Sequence, residues 1–355
     1  IIDTTKKGRP KMTKKVIILI IIFLFLFLTA CDTQKVEKPT VKQAFLLDTI
    51  VEVSAHGPKA EEAIVIAFKR IADIQDKMTS HGNDSEVLRI NNAAGKKSVK
   101  VSQDTFYVIE KGLLYSEKTQ GSFDITVGPL VKIWGIGTED AKIPHKEQIL
   151  KAIELVNFQD VKLDKKNTSV FLKKPEMALD LGGIAKGYAA DETVRLLKGN
   201  GIKSALIDLG GNIYAIGHKP DGSKWKIGIQ DPFKPRGNNL AILEISDKTI
   251  VTSGIYERFF EKNNKKYHHI LDTSTGYPVE NGFASVTIIS NSSIDADAIS
   301  TAVFAMGLKE GMAFIESLST VDAIFVTDDR KVYVSSGIQS NDLRITNDRF
   351  TLENL

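Results

Sequence analysis

Apolar and polar residues alternate through Phe45-Leu46-Leu47-Asp48-Thr49-Ile50-Val51-Glu52-Val53, a period of two that predicts a strand. The period then lengthens. Ile64, Ala67, Phe68, Ile71, Ile74 and Met78 recur at helical spacing, so Ala60 to Met78 reads as an amphipathic helix. Gln103 to Thr119 reads as a second helix, and Pro144 to Leu155 as a third with proline near its first turn. Strand patterns return at Ser169–Leu172, Ser204–Asp208, Asn212–Ile216, Trp225–Ile229, Leu240–Ile245 and Ile250–Thr252. Ser285–Ser290 and Ala323–Thr327 follow, the latter paired in a hairpin with Lys331–Ser335 across Asp328-Asp329-Arg330. Helices are expected at Asp295–Met306 and Lys309–Leu318, between these strand groups. Strands in runs, broken by helix pairs, argue for an α+β fold, and neither an internal repeat nor a low-complexity linker divides the body of the chain.

The N-terminal pattern is of another kind. Lys11, Lys14 and Lys15 precede an unbroken apolar run from Val16 to Leu28. That run is short for a membrane span, which takes ~20 residues, and fits the apolar region of an export signal. It ends in Leu28-Thr29-Ala30-Cys31, which resembles a bacterial lipobox with Cys31 as the diacylated first residue of the mature protein. The expected organisation is therefore a lipoprotein signal peptide over 1–31, a tether over 32–44 and a domain over 45–350. Residues before Met12 read as upstream extension. The body of the protein is then extracytoplasmic and lipid-anchored to the bacterial cell membrane.

This division changes the charge argument. The whole chain has 47 basic and 44 acidic residues, but removal of residues 1–31 leaves 41 basic against 43 acidic. The excess of positive charge belongs to the leader, so nucleic-acid binding has no support. Cys31 is the single cysteine, which excludes an intrachain disulfide and a catalytic thiol in the mature body.

Four segments carry candidate chemistry, the first three punctuated by glycine: Gly121–Leu130 with Ser122, Phe123 and Asp124; Ala178–Tyr188 with Asp180-Leu181-Gly182-Gly183-Ile184-Ala185-Lys186-Gly187; His268–Pro278, opening His268-His269-Ile270-Leu271-Asp272; and Asp295-Ala296-Asp297-Ala298-Ile299-Ser300-Thr301. On a helix Asp297, Ser300 and Thr301 stand at i, i+3 and i+4, which places three oxygen donors on one face, part of a Mg²⁺ shell. The alternative is a helix N-cap at Asp295 with a solvated polar face. The second segment reads as a glycine-rich turn entering a helix that runs to Leu197, with Lys186 in its first turn, where free amides attract anions. It has neither Walker A nor dinucleotide-fingerprint spacing. The third offers a histidine pair but no zinc spacing, and Gly-x-Ser-x-Gly is missing.

As a set, and together with Met78-Thr79-Ser80-His81, Gly128-Pro129-Leu130 and Thr252-Ser253-Gly254-Ile255-Tyr256-Glu257-Arg258-Phe259, these segments resemble the ApbE family of FAD:protein FMN transferases over about Phe45–Gly307. The resemblance implies a T-fold-like single large domain of antiparallel sheets flanked by helices. It also implies Mg²⁺-dependent transfer of FMN from FAD to a threonine of an acceptor flavoprotein, releasing AMP. Carried over by motif, Asp297, Ser300, Thr301 and the carbonyl of Gly183 would hold Mg²⁺. Ser122, Phe123, Asp124, Asp180, Lys186 and Ile270 would contact FAD, as would Leu47 and His81, where the family usually has Met and an aromatic. Lys186 would neutralise the pyrophosphate and His269 would serve as base. The acceptors implied are subunits of Rnf- or Nqr-like membrane redox complexes, or other flavinylated extracytoplasmic proteins. A Mg²⁺-dependent FAD pyrophosphatase and a non-catalytic FAD-binding lipoprotein remain open as alternatives.

Overall fold

The alternating run at Phe45–Val53 is a hairpin rather than one strand. In the computed structural model, which describes residues 38–339 and 341–355, strands β1 (Thr40–Leu46) and β2 (Thr49–His56) pair antiparallel across Leu47 and Asp48. Both turn residues are left-handed, at φ 53° and 56°. A two-residue turn of this hand usually announces itself by Asn-Gly, and Leu-Asp hides it. The fold therefore begins at Thr40, inside the expected tether. The expected signal peptide and Cys31 lie outside the described residues.

The chain continues through α1 (Ala60–Met78), α2 (Glu86–Asn92), β3 (Val99–Lys100), α3 (Gln103–Lys118), α4 (Gly128–Trp134), α5 (Lys146–Ile153), β4 (Val161–Asp164), β5 (Ser169–Leu172) and α6 (Ala185–Gly199). Strands β6 (Ser204–Leu209), β7 (Asn212–Ile216), β8 (Trp225–Gln230), β9 (Asn239–Ile245), β10 (Lys248–Gly254), β11 (Phe259–Lys262), β12 (Lys265–His268) and β13 (Phe283–Ser290) follow. Helices α7 (Ser293–Met306) and α8 (Leu308–Glu316) then precede β14 (Val321–Thr327), β15 (Lys331–Val334), β16 (Leu343–Ile345) and β17 (Thr351–Glu353). The last strand lies past the expected domain end at 350 and pairs parallel with β15, whereas the other pairs in the sheets are antiparallel. Residues 38–355 form one unit, an α+β domain built on a nine-stranded sheet ordered β1-β2-β6-β7-β10-β13-β14-β15-β17.

Burial explains the layers. Strand β13 is buried along its whole length, because helices cover one face of the sheet and a three-stranded sheet (β16-β9-β8) covers the other. On the helix side, α1 turns Ile64, Ala67, Ile71, Ile74 and Met78 inward, the stripe its periodicity predicted. Helix α7 is buried nearly all round, and its alanines (Ala296, Ala298, Ala302) let α6 and the sheet approach closely. A third, smaller cluster gathers Leu130, Trp134, Ile149 and Leu271 under the β11–β12 hairpin. Among the described residues no helix is long and apolar enough to cross a membrane.

Candidate functional site

Helices α6 and α7 cap each other, and the site lies where they do so. Ile184, at the N-cap of α6, has no side-chain acceptor to offer. The Gly187 N–H in the first turn instead donates to Oδ2 of Asp297, on α7, at 2.9 Å. In return Asp191 of α6 accepts from the N–H groups of Ser293 and Ile294 at the start of α7, at 2.8 and 2.9 Å. Burial pushes the Asp191 carboxyl up to about 6, against the pull of those two donors. The alternative of an N-cap at Asp295 therefore does not hold. Asp295 stands inside the first turn of α7 and pairs with Lys111 at 2.9 Å, while Asp191 does the capping.

The proposed metal donors converge at this junction. Asp297 is 4% exposed, and burial holds its carboxyl above the ordinary range while Lys186 and Arg258 draw it down. Ser300 Oγ donates to the Asp297 carbonyl at 2.9 Å, so the 2.8 Å contact with Ser253 Oγ must be a bond it accepts. One lone pair of Ser300 stays uncommitted. Gly183 faces Thr301: a Cβ built on it would lie 3.4 Å from Thr301 Oγ1 and 3.1 Å from the Phe123 ring. Because the Gly187 N–H goes to Asp297, it leaves the Gly183 carbonyl without its helical partner. A carboxylate, two hydroxyls and a carbonyl are hard oxygen donors of the kind Mg²⁺ takes. Among the described residues no group of three or more His, Cys, Asp or Glu gathers at a metal distance, so the set fits a cation whose shell is completed by substrate phosphate or water.

The remaining residues expected to bind FAD divide by what they touch. Lys186, in the first turn of α6, reaches back to the Gly182 carbonyl at 3.1 Å. A cation at a helix N-terminus opposes the dipole, an arrangement that suits a bound anion. Asp180 accepts from Gly182 N–H and from Ser80 Oγ, at 2.8 and 2.9 Å, and ties this turn to the C-terminal end of α1. His81 is exposed just beyond Ser80, and the Leu47 N–H at the hairpin tip donates to Gln75 Oε1 of α1 at 2.6 Å. Both therefore flank the C-terminal end of α1. Ser122 is half-buried in the turn after α3, next to the buried Phe123. Asp124 is braced on every side: Thr126 donates twice to Oδ1 and the Phe158 N–H once to Oδ2. Its carboxylate holds this loop against the 157–160 turn.

The two adjacent histidines have opposite fates. His268 is buried, its Nε2–H donating to the Val279 carbonyl at 2.9 Å and its Nδ1 accepting from the Ile270 N–H at 3.3 Å. Both ring nitrogens are used, and His268 is part of the core. His269 directs its Nδ1 to the Arg258 carbonyl at 3.2 Å. A carbonyl can only accept, so Nδ1 carries the proton and Nε2 keeps a free lone pair in the neutral ring. Burial, then Arg258 and Lys186, push this imidazole down to about 3. Ile270 is buried beside them, and Asp272 is engaged by Ser274 and Thr275 in building the turn to Pro278. Thr273 Oγ1 bonds the Gly121 carbonyl at 2.7 Å, joining the first and third segments.

Four residues without an expected role shape the site. Asn91 of α2 bonds both the N–H and the carbonyl of Leu179, at 2.7 and 3.0 Å, as a neighbouring strand would. Gly187 lets the start of α7 press on α6, Ser253 orients Ser300, and Arg258 orients His269. Ser253 and Arg258 stand in a stretch that carries the family resemblance, but the partners of Asn91 and Ser253 lie 88 and 47 residues away in sequence.

Comparison with known proteins gives the chain a family. The model of the ApbE family matches residues 47–325. A FAD:protein FMN transferase of Klebsiella pneumoniae (strain 342) is 40% identical over 269 residues, covering 76% of this chain and 83% of that protein. One from Treponema pallidum (strain Nichols) is 35% identical over 318 residues, covering 85% and 88%. The crystal structure of the ApbE protein from Thermotoga maritima superposes with a TM-score of 0.78 at 31% identity, covering 84% of this chain and 97% of its own.

Proposed function

The chain belongs to the ApbE family, and from that premise we infer that it is a transferase moving FMN from FAD to a protein acceptor. The observation that carries the reading is the junction of α6 and α7. A buried carboxylate, two hydroxyls and a freed carbonyl meet there beside Lys186 and a neutral histidine with an open lone pair. We propose that Asp297, Ser300, Thr301 and the Gly183 carbonyl hold Mg²⁺ and that the acceptor group is a threonine hydroxyl. When bound, the cation would supply Lewis-acid stabilisation of the pyrophosphate.

The chain's own residues do the rest. Lys186, through its ammonium and its backbone N–H, the first-turn amide of α6 that the Asp297 and Leu181 bonds leave uncommitted, fixes the pyrophosphate and balances the charge that grows on the leaving AMP. His269 Nε2 takes the proton of the threonine hydroxyl as its oxygen attacks the FMN phosphorus. The phosphoanhydride bond breaks, and AMP leaves with the bridging oxygen. An imidazole pushed down to about 3 is a weak base in the free protein. Two of the causes are cations, so an anionic pyrophosphate between them would raise its basicity where it is needed. The lipobox-like Cys31 supports placement outside the membrane, where Rnf- or Nqr-like subunits would present the acceptor threonine.

The deciding experiment incubates residues 32–355 with FAD, Mg²⁺ and an acceptor domain bearing a flavinylation motif. Mass spectrometry then looks for FMN on threonine, with an EDTA control. Metal-dependent attachment with AMP release is expected. Free FMN with AMP would mean a pyrophosphatase, and unchanged bound FAD a carrier. His269→Ala should lower transfer by about 10²–10⁴-fold while leaving FAD bound. In free protein the His269 C2–H resonance should remain at its neutral position down to pH 5, and a midpoint near 6.5 would remove the cations from its surroundings.

A further inference from the structure

We propose that Arg258 is a second anchor for the FAD pyrophosphate, acting together with Lys186; this rests on the transferase reading above. Arg258 lies in the turn between β10 and β11, and its carbonyl receives both the N–H and the Nδ1–H of His269, at 3.1 and 3.2 Å. Its backbone is thus locked to the base. Its stem runs past Gly137, with Cδ 3.1 Å from where a Cβ at that residue would stand. Gly137 has φ +91°, a left-handed turn with no side chain to block the arginine. The charge of Arg258 reaches the same two groups as that of Lys186, the His269 ring and the Asp297 carboxylate.

That charge has no anion to answer it. Among the described residues Arg258 makes no ion pair, and the adjacent Glu257 is engaged by Arg236 at 3.7 Å. The one carboxylate shared by Lys186 and Arg258 is Asp297, which the metal would claim. The cluster thus has more positive than negative charge, and Arg258 is exposed. A pyrophosphate, with a charge on each phosphate and oxygens spaced for bidentate contact, matches that surplus. Lysine at this position would match the charge but not the fork.

The test is equilibrium binding by flavin fluorescence, without acceptor, using the chain from residue 32 onward and its Arg258→Ala and Arg258→Lys variants. Arg258→Ala should weaken FAD binding by about 10- to 100-fold, the scale of a lost charge-assisted pair. Binding of riboflavin, which has no phosphate, should stay unchanged, and Arg258→Lys should recover only part of the loss. Unchanged FAD affinity in Arg258→Ala overturns the proposal. So does an equal loss for riboflavin, which would make Arg258 a brace for the β10–β11 turn. Asp297→Asn separates the two levels. If it abolishes transfer while Arg258→Ala binds FAD normally, only the anchor is wrong. If neither change affects transfer, the transferase site itself is misplaced and the anchor falls with it.

Discussion

Asp297→Asn is expected to abolish metal-dependent transfer while leaving the fold intact. The carboxylate has two tasks that this substitution separates. Its Oδ2 accepts the Gly187 N–H and so caps α6, a bond an asparagine carbonyl can keep. Its charge, buried and disfavoured by desolvation, has no such substitute and would be stabilised by a cation. Removing that charge should leave the melting temperature unchanged or slightly raised. Transfer should fall by about 10²-fold or more, the scale of losing one preorganised electrostatic group. Asp297→Ala should add the loss of the cap, about 1 kcal/mol of stability. The pair of variants is read by thermal unfolding and by acceptor labelling at several Mg²⁺ concentrations. Near-native, Mg²⁺-dependent labelling by Asp297→Asn would refute the metal role. Unfolding of the same variant would show that its charge serves the fold.

Much of the scaffold was legible because it rests on local periodicity. The bounds of α1 and β5 coincide with those expected, and the β14–β15 hairpin closes across the predicted turn. The tip at Leu47-Asp48 was not, since neither residue advertises a left-handed turn. The short elements α2, α4, β11, β12, β16 and β17 are too brief to develop a period and depend on tertiary packing. The site divides in the same way. Asp297, Ser300 and Thr301 share a helix face that the sequence spacing implies. The junction that gives them meaning does not show in the sequence, because Gly187 and Asp297 are 110 residues apart and Asn91 and Leu179 are 88 apart. His268 and His269 are adjacent and chemically identical, and each gives one ring N–H to a backbone carbonyl; they differ at the second nitrogen, which accepts the Ile270 N–H in His268 and is open in His269.

Gly187→Ala should be strongly destabilising although alanine favours helices over glycine by about 1 kcal/mol. A Cβ there would stand 2.3 Å from the Ser293 carbonyl oxygen and 2.6 Å from the Ile294 Cα, both backbone atoms that cannot swing aside. Helix α7 would have to withdraw. In doing so it would strain the Asp191 bonds to Ser293 and Ile294 and the Asp297 bond to Gly187 itself. Overpacking of this kind costs about 1–3 kcal/mol, and weakening the reciprocal caps adds to it. Gly199 at the other end of the same helix is the control: nothing lies within 4 Å of a Cβ built there, so Gly199→Ala should be neutral or slightly stabilising. Thermal unfolding of the two variants should give shifts of opposite sign, several degrees downward for position 187. Transfer should fall in Gly187→Ala even below its melting temperature, because the displaced helix carries Asp297, Ser300 and Thr301 away from Gly183. Equal stability of the two variants would mean that α6 and α7 are not held in contact at Gly187, and the reciprocal capping that builds the site would fail with it.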